Sequence, residues 1–298
     1  MYASDKGIEE HPEWYENLMR GSSFEDFQAH LWRHWEKASC ERPCRAPLKK
    51  GLSVFCWTLA RSTNYEADLM AKQLELGAGI FGCDGFAVLS EQEWTVGAGS
   101  GGEVAALTFQ GAAVGTSKDG TAGNAALFMR AWQAVLRRTA ALSFDWTVKV
   151  DPDSVLFADK LRDHLKEAEV RGANKVKQLK NAATFIRNCN AYPGTDGFPA
   201  MFGALEVVSR QAVKVYQDGA SRCKEELDWE AWGEDLFLSQ CLSHLGVPPM
   251  DDFSITSDGT CTKVDEHVEV DCSASWPAAF HPFKTADDWA ACWRLAAP

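Results

Sequence analysis

The sequence predicts an α/β fold in which helices flank a mostly parallel central sheet, and three observations predict it. From Leu52 onward, short apolar runs suited to buried strands alternate with stretches of helical periodicity. The strand-like segment 146–150, with Trp146, Val148 and Val150 alternating against Thr147 and Lys149, ends abruptly in two carboxylates, Asp151 and Asp153, around a proline. Composition is that of a globular chain: with 46% apolar and 24% charged residues over 298 positions, one large core or two smaller ones can be buried.

Taken in order, residues 1–50 read as a small N-terminal helical extension and linker, and residues 51–298 as the main domain. Pro12 starts a short helix, and Ser23 to Asp26 resembles a capping box before the stripe Phe27, Leu31, Trp35. Cys40, Cys44 and Lys49-Lys50 lie in the linker. The run 52–57 is a first buried strand, followed by a turn at 58–63 and a helix through Tyr65, Leu69, Leu74 and Leu76. A second strand is expected at 85–89. The glycine-rich 95–102 lacks the Gly-Lys-Ser/Thr of a phosphate loop and reads as a flexible loop. An edge strand is expected at 105–109. Asn124 then caps a helix with Leu127, Phe128, Ala131, Trp132, Val135 and Leu136 inward, and the central strand follows. Beyond the acids come a helix from Lys160 with Leu161, Leu165 and Ala168 on one face, a basic surface turn at 171–180, a strand at 182–186 and a loop through Cys189, Tyr192, Gly194 and Gly197. The apolar run 198–209 has a central Gly203 where backbone passes close to something. A last helix opens at Trp232-Gly233-Glu234-Asp235 and ends near Leu245-Gly246.

Charge narrows the function. A formal net charge of −12, with no basic run longer than two residues, argues against a nucleic-acid or anionic-membrane surface. No window of about 18 apolar residues exists and the first twenty residues are polar, so neither a membrane span nor a signal peptide is expected, and membrane attachment would require an anchor not seen in this sequence. Ten scattered cysteines without a Cys-x2-Cys pair resemble a disulfide set more than a zinc site, which points to an oxidising, lumenal or extracellular compartment.

Two acids at the C-terminal edge of a strand can share one divalent cation through hard oxygen ligands, and a cation held there can grip a diphosphate. The pair Asp151 and Asp153 by itself is also compatible with a solvated turn capping the next helix. An EF-hand loop is excluded, because Val155 and Leu156 stand where it needs oxygen ligands and glycine. Glu234 and Asp235 at the start of a helix can simply complement its dipole, or one of them can face a ligand as a base. His281, between Phe280 and Pro282, reads as a packing residue on local sequence or as an imidazole ligand joining the acids, which suits manganese.

The order of these segments resembles the fringe-like and β-1,3-galactosyltransferase group of inverting glycosyltransferases: the first strand with Thr58 and Arg61, then Val148 to Asp153, Phe202-Gly203-Ala204, Gly233 to Phe237 and Phe280-His281-Pro282. The resemblance covers roughly 52–293 and is that of a divergent member. It implies a GT-A fold, a UDP-sugar donor, and Mn2+ (or Mg2+) held to the diphosphate by Asp151, Asp153 and His281. It further implies Asp235 as general base with Glu234 beside it, donor contacts at Thr58, Arg61, Lys149, Gly203 and Ala204, an acceptor contact at Trp232, a glycan or glycoprotein acceptor, and residence in the Golgi or secretory lumen. A nucleotide-sugar hydrolase using the same acids, or a non-catalytic carbohydrate-binding protein exploiting some of the 12 tryptophans, are the alternatives from other classes.

Overall fold

The computed structural model describes residues 52–99, 101–117, 122–173, 182–191, 197–261 and 270–297, without the side chains of 168–173. The expected N-terminal helix and linker, Cys40 and Cys44, the loop residues Tyr192 and Gly194, and most of the basic turn at 171–180 lie outside them.

Strand β1 (Val54–Leu59) is an apolar run buried along nearly its whole length. Helix α1 (Tyr65–Leu76) starts at Asn64, whose side chain accepts from the Glu66 amide, and stops at Gly77, which takes the left-handed conformation that ends helices cheaply. Strand β2 is Gly85–Ser90. The glycine-rich stretch expected to be a flexible loop is instead an antiparallel hairpin, β3 (Thr95–Gly99) with β4 (Gly102–Ala105). It lies against α1, where a Cβ on Gly99 would come within 2.9 Å of Leu74 Cδ1. Gly97 and Gly99 therefore serve close packing on Leu74, and Gly102 takes the positive φ that the turn requires. The expected edge strand survives as the two-residue β5 (Leu107–Thr108).

A second small hairpin, β6 (Gly115–Thr116) and β7 (Ala122–Gly123), precedes α2 (Ala125–Arg138). Asn124 stands at the N-cap of α2, yet its side chain does not cap; its Oδ1 accepts instead from the Glu234 amide. Then come β8 (Trp146–Val150), β9 (Val155–Leu156) and α3 (Ala158–Ala173), which starts two residues before Lys160 and takes in 171–173. Strands β10 (Phe185–Arg187) and β11 (Leu205–Ser209) lead to α4 (Arg210–Glu226), a helix the apolar pattern did not reveal, with Ser209 as its N-cap. Helix α5 (Glu234–His244), β12 (Pro249–Asp251), β13 (Thr256–Asp258), β14 (Ala279–His281) and α6 (Ala286–Ala296) complete the order.

Seven strands form the central sheet in the order β12-β10-β11-β8-β1-β2-β5. All neighbours pair in parallel except β11, which runs antiparallel to both β10 and β8. Successive side chains of a strand point to opposite faces, and here both faces are covered. Phe55, Trp57 and Val208 pack on one face with Phe128 and Trp132 of α2, Tyr216 of α4 and Phe237 of α5. Val54, Cys56, Val148, Val150 and Val207 pack on the other with Leu161 and Leu165 of α3. A smaller sheet, β13-β14-β9, stands beside the end of β8.

Among the described residues, four disulfides join Cys56 to Cys83, Cys189 to Cys261, Cys223 to Cys241 and Cys272 to Cys292. This is the disulfide set that the cysteine spread implied. Among the described residues no helix is long and apolar enough to cross a membrane.

A buried hydrogen-bonded pair ties α3 to the segment after β12. His164 Nδ1 lies 2.8 Å from Asp252 Oδ2, and its Nε2 lies 3.1 Å from the Trp276 carbonyl oxygen. Burial would raise the Asp252 pKa, but the bonds from His164 and Ser254 outweigh it and hold the group below its usual 3.8. Because the folded value lies below the unfolded one, this stabilisation is complete above the unfolded pKa and is lost as pH falls through the folded one. Asp252→Asn should therefore cost about 1–3 kcal/mol at neutral pH. Denaturant titrations should also show the variant losing less stability than the parent between about pH 5 and pH 3.

Candidate active site

Parallel strands β1, β2 and β8 all end on one edge of the sheet, and a cavity of about 430 Å³ opens there. Residues just past each strand line it: Arg61 after β1, Gln92 after β2, and Asp151 and Asp153 after β8. This is the crevice at the carboxyl ends of strands where open α/β sheets bind ligands.

The turn that carries the acids is fixed from several directions. Asp151 N and Ser154 Oγ both donate to the Ala204 carbonyl, at 3.4 and 2.9 Å, so β11 holds the end of β8 in place. Gln73 Nε2 of α1 donates to the Pro152 carbonyl at 2.8 Å, and Phe283 N to that of Asp153 at 2.9 Å. Pairing of Phe280 with Val155 brings β14, and with it His281, alongside. His281 Nε2 lies 3.4 Å from Asp153 Oδ1 and 4.0 Å from Asp151 Oδ2. One ligand atom from each of Asp151, Asp153 and His281 falls within 4.8 Å of the others.

Behind the imidazole stands an acid that the sequence reading missed. Asp258 of β13 sits opposite His281 in the parallel register, and its Oδ2 is 2.5 Å from Nδ1. The other oxygen of Asp258 accepts from Thr260 N and Oγ1. A carboxylate on the far nitrogen fixes ring orientation and leaves Nε2 directed at the two acids, the arrangement usual for a metal-ligating histidine. Two carboxylates and one oriented imidazole thus fit a hard or borderline divalent cation such as manganese or magnesium. Without a cation the proton takes its part: burial alone would lower the His281 pKa, but hydrogen bonds with Asp153 and Asp258 and the charge of Asp151 raise it to about 10.

Beneath the acids lies Lys149, fully buried at 0% exposure. Its Nζ reaches Asp151 Oδ1 at 2.7 Å, Glu234 Oε1 at 2.8 Å and the Gly203 carbonyl at 2.9 Å, with the Phe128 ring centroid at 4.7 Å. Glu206, its cross-strand neighbour on β11, is 3.7 Å away and has neither oxygen hydrogen-bonded. Burial, joined by the charges of Glu234, Asp235 and Asp151, pushes the Glu206 pKa well up despite the lysine. Burial would lower the lysine's own pKa, but Asp151, Glu234 and Glu206 outweigh it and the ammonium is retained. For Glu234, burial raises the pKa, and the charge and hydrogen bond of Lys149 bring it below the usual value.

The structure gathers some of the residues expected at the site and sets others back. Asp151, Asp153, His281, Arg61 and Glu234 line the cavity, together with Tyr65 and Asn124, which sequence reasoning did not single out. Lys149 is a support under the cavity and not a surface for a donor. Thr58, at 1% exposure, is buried in β1 and does not line it. Gly203 and Ala204 are buried behind it, and a Cβ on Gly203 would come within 2.8 Å of Glu234 Oε1. Asp235, expected as the base, is 6% exposed and off the cavity wall; its Oδ2 accepts from Gly203 N at 2.8 Å and its Oδ1 from Leu236 N at 2.7 Å. Trp232 is half-buried against the core and does not line the cavity either.

No family model matches the sequence, and no curated protein does. Among solved structures, one similar chain is a glycosyltransferase involved in the glycosylation of the major capsid of PBCV-1, with 11% identity over 82% of this chain and 99% of that one and a TM-score of 0.42. Another is an active-site mutant of LgtC, with 12% identity over 81% and 99% of the two chains and a TM-score of 0.45. A third is the galactosyltransferase LgtC in complex with donor and acceptor sugar analogs, with 11% identity over 82% and 96% and a TM-score of 0.41. Likeness of this degree leaves the reading of the site to its own residues.

Removing the buried cation tests the support directly. Lys149→Met leaves Asp151 and Glu234 facing each other without a counter-charge and should lower the unfolding free energy by about 3–5 kcal/mol in denaturant titration. Glu206→Gln swaps a buried carboxyl that has no hydrogen bond for its near-isostere and should change stability by less than about 1 kcal/mol.

Proposed function

We propose that this protein is a metal-dependent glycosyltransferase of GT-A type, moving a hexose or N-acetylhexosamine from a UDP-sugar to a hydroxyl of a glycan or glycoprotein. The observation that carries the proposal is the convergence of Asp151, Asp153 and His281 at the carboxyl ends of the parallel strands, on the wall of a cavity. A manganese or magnesium ion would be held by these three residues, and when bound it supplies Lewis-acid neutralisation of diphosphate charge. Arg61 adds a cation on the same cavity, and Tyr65 and Gln92 offer a ring and an amide for the nucleoside. Burial, followed by the charge of Asp153, raises the Tyr65 pKa to about 12, so its phenol is neutral and can donate a hydrogen bond.

Of the two adjacent acids, Glu234 is the one on the cavity wall, so the base role passes to it from Asp235. Its carboxylate is ionised at neutral pH and oriented by Lys149, and it accepts the acceptor hydroxyl's proton as the new bond forms. Inversion follows if the hydroxyl and the leaving diphosphate lie on opposite faces of the sugar. Asp235 holds the Gly203 amide, and with it the turn whose carbonyl accepts from Lys149. Within the same proposal, residues 51–298 are the catalytic domain and 1–50 an extension. The four disulfides support an oxidising lumen such as the Golgi as the working compartment.

Calorimetric titration of UDP with and without manganese tests the reading. Binding is expected only with the metal and should be lost in Asp153→Asn. Glu234→Gln should retain UDP binding while transfer drops about 10²–10⁴-fold. UDP binding indifferent to metal, or full transfer by Glu234→Gln, would sink the metal or the base assignment respectively. Sugar release from the donor without any acceptor would identify a hydrolase instead.

A further inference from the structure

A second cleft, also of about 430 Å³, lies between α2 and α4, lined by different residues of α2 from those on the first cavity. Arg130 and Arg137 of α2 and Lys224 of α4 line it, with the amides of Gln133 and Gln217 and the indole of Trp229, and no carboxylate does. That is against composition, because acids outnumber lysine and arginine 42 to 30 in this chain. Elsewhere on the surface arginines find acids, as Arg187 does with Asp251 and Arg222 with Glu226. Among the described residues none of the three cleft cations has an ion-pair partner; Arg130 donates only to the Gly111 backbone carbonyl. Trp229 is held by its Nε1, which donates to the Lys224 carbonyl at 3.0 Å, and by an edge contact with Phe237.

Unpaired cations on an acidic protein create a local positive field that selects an anion. Arg130 and Arg137 are seven residues apart on one helix face, a rise of roughly 10 Å, which matches charges on alternate sugars of a saccharide chain. An indole offers a face for the apolar side of a pyranose, and side-chain amides bond to its hydroxyls. We propose that the cleft between α2 and α4 is a binding site for an acidic saccharide, bearing carboxylates or sulfates. The amides of Gln133 and Gln217, placed to bond to sugar hydroxyls, favour a saccharide over a nucleic acid as the occupant. This site is independent of the metal and the nucleotide.

The test is calorimetry on the full chain with EDTA and no nucleotide, titrating a hexagalacturonate and a heparin-derived hexasaccharide, with neutral maltohexaose and hexathymidylate as comparisons. At least one acidic hexasaccharide should bind, maltohexaose should not, and the oligonucleotide should bind at least about tenfold more weakly. The double substitution Arg137→Gln/Lys224→Gln, at exposed positions without other bonds, should weaken saccharide binding about tenfold, whereas Arg294→Gln on α6 leaves it unchanged. No binding of either acidic saccharide overturns the proposal. So does equal binding of hexathymidylate, or wild-type affinity in the double variant. Because the measurement needs neither metal nor UDP, its outcome is separate from that of the transferase reading.

Discussion

The rest of the site depends on one buried ammonium. Lys149 follows from strand geometry: side chains two apart on a strand share a face, so Lys149 stands under Asp151, and the antiparallel partner β11 sets Glu206 opposite it. A lone buried cation is costly, and so is each buried carboxylate, so neither holds without the other. The N-terminus of α5 supplies Glu234, and the turn before β11 supplies the Gly203 carbonyl. Three segments distant in sequence thus meet on one nitrogen, and burial pushes the pKa of the carboxyl left over, Glu206, well up.

This arrangement separates support from chemistry. Lys149, Asp235, Glu206 and Gly203 form a layer below the cavity in which hydrogen bonds are satisfied internally, apart from those of Glu206, whose oxygens have no hydrogen-bond partner. Asp151, Asp153, His281 and Glu234 stand above it with oxygen or nitrogen atoms turned to the cavity. The same division recurs at His281, whose one nitrogen is occupied by Asp258 while the other faces the acids. Rigid placement by such a layer is what a metal or transfer site needs, because misplacement of reacting groups by about 1 Å can cost two orders of magnitude in rate.

Helix α2 separates two unlike clefts. Leu127 and Phe128 line the acid-bearing cavity, and Met129, Arg130, Gln133 and Arg137 line the cationic one. At 3.6 residues per turn, neighbours in sequence are about 100° apart, so one helix serves both without conflict. Asn124 joins α2 to α5 through the Glu234 amide, linking the helix between the clefts to the acid on the first cavity.

Much of the fold was legible because its signals are local. The period-2 and period-3.6 patterns placed β1, α1, β2, α2, β8 and α5 within a few residues, and the proline-separated acids marked the end of the central strand. Helices α4 and α6 were missed, and the glycine run was misread, because close packing of Gly99 on Leu74 leaves no trace in the run itself. The sequence by itself determined the residue types available for a cation, Asp151, Asp153 and His281, and the existence of a sheet edge to carry them. Only the tertiary structure decided that Glu234 rather than Asp235 reaches the cavity, that Lys149 is a buried support, and that Asp258 orients the imidazole. Those outcomes rest on which way adjacent side chains rotate about a helix start and on strand registers between segments far apart in sequence, and neither is encoded in any local pattern.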